Sequence, residues 1–212
     1  MKKLIIFLAI STLILTIGAK REEKIPEPYL SSINFLREMD VVSGYPDGTY
    51  RIDWAITQGE FITLLVRGYN VTQSYVEGEK ETFVFRLKKF INAILSIFKK
   101  KERFIDLKDH WVHPYIIELS RLETLSEEEI KPDTAISIEE ALLLEIKLFP
   151  FKDEIKNITF LNARENKEKV LSCSVSHNLF PDDIRFGNKL SRGDAFLLIE
   201  RFIKKRQFQK GK

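Results

Sequence analysis

Apolar residues along this chain recur at the three- and four-residue intervals of buried helix faces. Ile33, Leu36, Met39 and Val42 form the first clear series, and Ile116, Leu119, Leu122 and Leu125 repeat its spacing. A third, less distinct series runs somewhere through 165–176. Long strictly alternating segments with hairpin turns are absent, so the pattern predicts a mostly α fold. Between 83 and 98, Phe83, Leu87, Phe90, Ile91, Ile94, Leu95 and Phe98 trace one face of a further helix, with Lys88, Lys89, Asn92, Ser96 and Lys99 opposite. A basic amphipathic helix of this kind lies on a membrane or packs on its neighbours, and packing is the commoner fate of an apolar stripe.

The polar positions are periodic on a longer scale. Thr57, Ser137 and Ser191 are each followed three residues later by an acid: Glu60, Glu140 and Asp194. The first two pairs are capping boxes that announce helix starts, and the third has the shorter Asp. Ile56, Ile136 and Leu190 precede these anchors. Seven residues before each anchor stand Tyr50-Arg51, Ile130-Lys131 and Ile184-Arg185. Ten residues after them come Arg67, Lys147 and Arg201, expected near helix C-termini where a base complements the macrodipole. Each unit therefore reads as helix, loop, capped helix over about 45 residues. One such hairpin cannot bury its own apolar face, so three are expected to pack about a common axis. The anchors are 80 and then 54 residues apart, and the extra length falls at 70–103, around the amphipathic helix.

The N-terminus stands apart. Lys2 and Lys3 precede an uncharged run from Leu4 to Ile17 and the small pair Gly18-Ala19, the pattern of a secretory signal peptide over 1–19. Removing Lys2 and Lys3 from the 34 basic residues leaves 32 against 31 acids, so the mature chain is near neutral. No clustered basic excess points to nucleic acid. The one cysteine, Cys173, among Val170, Leu171 and Val175, reads as a small buried hydrophobe.

The loop Gly44-Tyr45-Pro46-Asp47-Gly48-Thr49-Tyr50-Arg51 followed by Ile56-Thr57-Gln58-Gly59-Glu60-Phe61 resembles the G-Y-x-D-G-T-F-x-P and I-T-R-A-E-F pattern of the S-layer homology family. Phe104-Ile105-Asp106-Leu107 with His110-Trp111 is similar to that family's F-x-D opening. Ile136-Ser137-Ile138-Glu139-Glu140 and Leu190-Ser191-Arg192-Gly193-Asp194 stand where the second motif recurs. The chain is then expected to divide into the signal peptide at 1–19, a charged lead-in at 20–28 and, as the resemblance implies, repeats at 29–70, 104–149 and 150–205. An insertion at 71–103 and a basic tail at 206–212 complete the division. The resemblance also implies a pseudo-threefold assembly of three helix-loop-helix repeats with an inserted amphipathic helix, whose grooves bind cell-wall carbohydrate. The family's motif arginine, suited to a carboxylate through two parallel hydrogen bonds, survives only as Arg192; Gln58 and Ile138 replace it elsewhere. Candidate glycan contacts are Arg192, Arg51, Arg185, Lys131, Gln58, Tyr45, Asp47 and Trp111. Structural caps are Thr57, Glu60, Ser137, Glu140, Ser191 and Asp194. Tyr50 and Trp111 are expected chiefly in the core, Trp111 with an accessible edge.

Other chemistry finds little support. The Asp47-Gly48 loop lacks the oxygen ligands and terminal Glu of a calcium loop. His110 and His113 have no third ligand at a convincing spacing, and His177 stands alone. No metal, cofactor or catalytic constellation is expected. The resemblance thus implies a non-catalytic exported module that binds cell-wall polysaccharide, either an acidic secondary polymer or peptidoglycan-associated glycan, for anchoring at the cell wall, cell surface or periplasm. The alternative is an envelope scaffolding protein with degenerate repeats, acting through the 83–98 helix on another envelope protein or the membrane surface.

Overall fold

The computed structural model describes residues 23–74, 107–122, 130–181 and 189–210. The expected signal peptide, the amphipathic helix at 83–98 and the loop base Arg185 lie outside the described residues. Within them the chain is helical and holds no strand: α1 (Tyr29–Glu38), α2 (Gln58–Ser74), α3 (His113–Arg121), α4 (Ile138–Ile146), a 3₁₀ helix (Pro150–Ile155), α5 (Lys167–Ser176) and α6 (Arg192–Lys210). None of these helices is long and apolar enough to cross a membrane.

The helix starts follow from local chemistry. Thr57 Oγ1 accepts from the Glu60 amide at 3.2 Å, while Glu60 Oε2 accepts from the Thr57 amide at 3.0 Å. Ser137 and Glu140 repeat this box at 3.2 and 2.8 Å. In the third pair the shorter Asp194 instead accepts from the Ser191 hydroxyl at 2.7 Å and from the Tyr29 hydroxyl at 3.0 Å. The next amides also need acceptors. Gln58 and Gly59 donate to the carbonyls of Thr134 and Pro132, and Arg192 and Gly193 donate to those of Trp54 and Ile52. The starts of α2 and α6 are therefore each capped in part by a loop distant in sequence.

Helix ends depart from the expected pattern. α1 stops at Glu38, and Asp40 turns left-handed at φ 57°, so Val41 and Val42 both donate back to the Leu36 carbonyl. Met39 and Val42 thus lie past the helix, although Val42 is buried. Asn178 makes the same exit from α5 at φ 53°, with Leu179 donating to Ser174. Short polar side chains tolerate this conformation best after glycine. In contrast, α2 and α6 run on past the expected terminal bases. Arg67 and Arg201 are consequently mid-helix, and only Lys147 caps a C-terminus. The expected basic tail from residue 206 begins inside α6, where Arg206 is buried. Its guanidinium lies 4.5 Å from the Tyr69 ring, bonds Thr72 Oγ1 and donates to the Leu148 carbonyl.

Packing crosses the units rather than closing hairpins. α1 packs on α6, α3 on α2 and α5 on α4, so the first helix of each unit lies on the second helix of a different unit. α2 and α6 also cross closely at Gly68, where an added Cβ would come within 3.2 Å of Ile203. At the centre, Ile56 donates to Leu190, Leu190 to Ile136, and Ile136 back to Ile56, at 3.0, 2.9 and 3.1 Å. These are the three residues that precede the anchors, and all are fully buried. Around them Phe61, Leu65, Leu142, Phe196 and Ile199 fill one core, each contributing roughly 1.5–3 kcal/mol through burial. Glu145 interrupts this core: it is fully buried, and neither carboxyl oxygen has a hydrogen-bond partner among the described residues.

Candidate functional site

The loop after α1 is built by its turn residues. Gly44 and Gly48 adopt φ 72° and 84°, and a Cβ on Gly44 would press against the Tyr50 ring at 3.2 Å. Asp47 Oδ1 accepts from the Thr49 amide and hydroxyl at 3.0 and 2.7 Å. Those bonds, helped by Arg51, hold the Asp47 carboxyl down at about 2. Arg51 is left-handed at φ 52°, which turns three successive amides, Tyr50 to Ile52, toward one carboxylate, that of Glu23. This is a backbone nest filled from the lead-in.

One carboxylate joins the loop to α2 and α6. Glu60 Oε2 caps Thr57, while Oε1 accepts from Arg192 Nη1 at 2.7 Å and from the Tyr45 hydroxyl at 3.2 Å. Burial raises the Tyr45 phenol above its ordinary value; Arg192 opposes this and Glu60 adds to it, so the hydroxyl keeps its proton and donates. Arg192 Nε donates to the Tyr50 carbonyl at 3.1 Å, and its guanidinium sits 4.8 Å from the Tyr45 ring. The Arg192 side chain is only 12% exposed. Its Nη2 makes no hydrogen bond among the described residues.

Beside this network lies a groove of about 130 Å³, walled by Val41 to Gly44, by Glu60, Thr63 and Arg67 of α2, by Trp111, and by Arg192 and Phe196 of α6. All three sequence units contribute to it. Trp111 is 54% exposed, so it is a surface platform rather than the core residue expected, tilted against His110 at 5.4 Å. Tyr50 meets its expectation better, with its ring edge-on to buried Phe196 at 6.4 Å.

The other candidates fall elsewhere. Arg51 pairs with Asp47 at 3.2 Å and lies over the Tyr45 and Trp54 rings at 3.8 and 4.7 Å, outside the groove lining. Gln58 is 7% exposed and its Oε1 accepts from the Lys131 amide at 2.8 Å, so its side chain braces the second loop. Lys131 itself is exposed on that loop. Sequence reasoning missed Arg67, which had been expected at a helix end. In the groove it donates to the Val41 carbonyl at 3.3 Å and reaches Tyr115. It also read Glu60 as a cap alone. Neither second role has a local sequence signal, because each depends in part on a distant residue, Tyr115 for Arg67 and Arg192 for Glu60.

Cys173 is buried as expected. Burial, then the nearby Glu154 charge and hydrogen bond, push its thiol up to about 11, so it is no nucleophile at neutral pH.

Residues 23–62 match the family model of the S-layer homology domain, consistent with an S-layer homology domain protein. The match spans the Glu23 carboxylate, α1, the glycine turn and the start of α2. Such domains anchor proteins to cell-wall polymers and occur in cell-surface proteins, which supports a cell-envelope location. No curated protein matches the chain.

Proposed function

We propose that this chain is a non-catalytic envelope module that holds an acidic group of a cell-wall polysaccharide in the Arg192–Trp111 groove. The observation that carries this reading is the pairing of a fixed guanidinium with an exposed indole across one groove. Glu60 and the Tyr50 carbonyl hold Arg192 in place, leaving Nη2 for a ligand carboxylate. Arg67 adds a second positive charge, so the groove stays cationic despite Glu60. The Trp111 face offers an apolar platform for sugar C–H groups. A cavity of about 130 Å³ is well below the several hundred Å³ of drug-sized pockets. It is sized for one terminal substituent, not for a length of polymer.

The same reading takes the three units as a pseudo-threefold ring. Supporting it are the hydrogen bonds among Ile56, Leu190 and Ile136 and the passing of each first helix to a different unit. The ring does not make three equal grooves, because Gln58 and Ile138 are buried where Arg192 bears the guanidinium.

Co-sedimentation with purified wall sacculi, intact and stripped of secondary polymer, tests the binding claim. The wild-type chain should pellet with intact sacculi only. Arg192→Ala and Trp111→Ala should each lose binding by about tenfold or more, the arginine because a charged hydrogen bond contributes roughly 1.5–3 kcal/mol. Rising salt should weaken the wild-type interaction. Unchanged binding in both variants would overturn the groove mechanism. No binding to intact sacculi would favour the scaffolding role.

A further inference from the structure

We infer that Glu154, Cys173 and His177 form a binding site for a borderline-soft divalent cation of the zinc class, on the third unit and sharing no residue with the groove. Cys173 and His177 are four residues apart at the C-terminal end of α5, so their side chains meet on one face. Glu154 arrives from the 3₁₀ helix, which packs on α5. His177 Nε2 lies 2.7 Å from Glu154 Oε1, and Cys173 Sγ lies 3.7 Å from Glu154 Oε2. One donor atom from each residue falls within 4.8 Å of the other two. Tetrahedral zinc, with bonds near 2.0–2.3 Å, requires neighbouring donor atoms roughly 3.3–3.6 Å apart. The 2.7 and 3.7 Å spacings to the two Glu154 oxygens bracket that value, and Cys173 and His177 lie within 4.8 Å of each other, so small side-chain rotations bring all three onto one ion.

The surroundings restrict the imidazole to this geometry. Phe151 stacks on the His177 ring at 3.6 Å and 3°, and Phe151 is itself stacked on buried Phe149 at 5.0 Å and 9°. Phe151 and Glu154 are three residues apart on a 3₁₀ helix, where such positions eclipse. One side chain therefore fixes the ring plane while the other faces its nitrogen. A thiolate, an imidazole and a carboxylate suit zinc far better than calcium or magnesium, and three protein donors leave a fourth position for water. Binding releases the thiol proton to solvent. An ion here ties the 3₁₀ segment to α5.

The test uses the untagged full chain, freed of metal by a chelator, with Zn²⁺ followed calorimetrically and Co²⁺ by absorption. We expect one saturable ion per chain, a thiolate-to-cobalt charge-transfer band in the near ultraviolet, and a raised unfolding midpoint with Zn²⁺. Cys173→Ser should abolish the near-ultraviolet band. His177→Ala and Glu154→Gln should each weaken Zn²⁺ binding by more than about tenfold. His110→Ala should leave it unchanged. Because His177 and Glu154 are partly exposed, their variants keep the test decisive if Cys173→Ser misfolds. Absence of saturable binding, or binding unchanged in the His177 and Glu154 variants, would overturn the site.

Discussion

Eight residues after their anchors, Leu65, Glu145 and Ile199 occupy matching places, and all three are fully buried. Only Glu145 brings a carboxyl group there, and that group has no hydrogen-bond partner among the described residues. Burial raises it well above the usual carboxylate range, so the folded chain keeps its proton at pH values where the unfolded chain has released it. Stability from this group is fully present below the unfolded value of about 4.3. It declines as pH rises toward and through the folded value. Urea unfolding between pH 4 and 8 should show this decline in the wild type and its loss in Glu145→Gln. Glu145→Leu should lose the slope and also gain roughly 1–3 kcal/mol, the cost of an unsatisfied buried polar group. At this scale the sequence was partly legible. Arg192 and Trp111 could be singled out from motifs, whereas the exposure of Trp111 and the ion pair of Arg192 with Glu60, 132 residues away, could not.

The starts of α2, α4 and α6 are legible in the sequence because a cap is chemistry within four residues. Two caps that look alike should nevertheless differ in cost. Glu140 bonds the Ser137 amide and Arg164, whose side chain is 57% exposed, whereas Glu60 also holds the Tyr45 hydroxyl and the nearly buried Arg192. Denaturant titration should therefore find Ser137→Ala and Glu140→Ala each costing about 1 kcal/mol. Glu60→Ala should cost about 3 kcal/mol, since it strands a guanidinium that is only slightly exposed. Equal losses at the two glutamates would contradict the joining role given to Glu60. Helix ends were less legible. α1 stops where Asp40 turns left-handed, while α6 continues because Arg206 finds Tyr69, Thr72 and Leu148 far back in the chain.

For the whole molecule, spacing leads to the expectation of three units but carries no sign of which helices pack on which. Apolar periodicity tells which face is buried and is silent on what covers it. Because α1 rests on α6 rather than on α2, damage to the last helix should be felt at the first. Phe196→Ala should destabilise by roughly 3–5 kcal/mol. Hydrogen exchange should then accelerate at α1 amides as much as at those of α6. Protection that persists at α1 would mean that the units unfold separately. The triangle of hydrogen bonds among Ile56, Leu190 and Ile136 has a topological consequence. A cycle has no first member, so the order of the units along the polypeptide reflects only where the chain is opened. Circular permutation, with the native ends joined by a linker and new ends placed between units, would preserve every bond in that triangle.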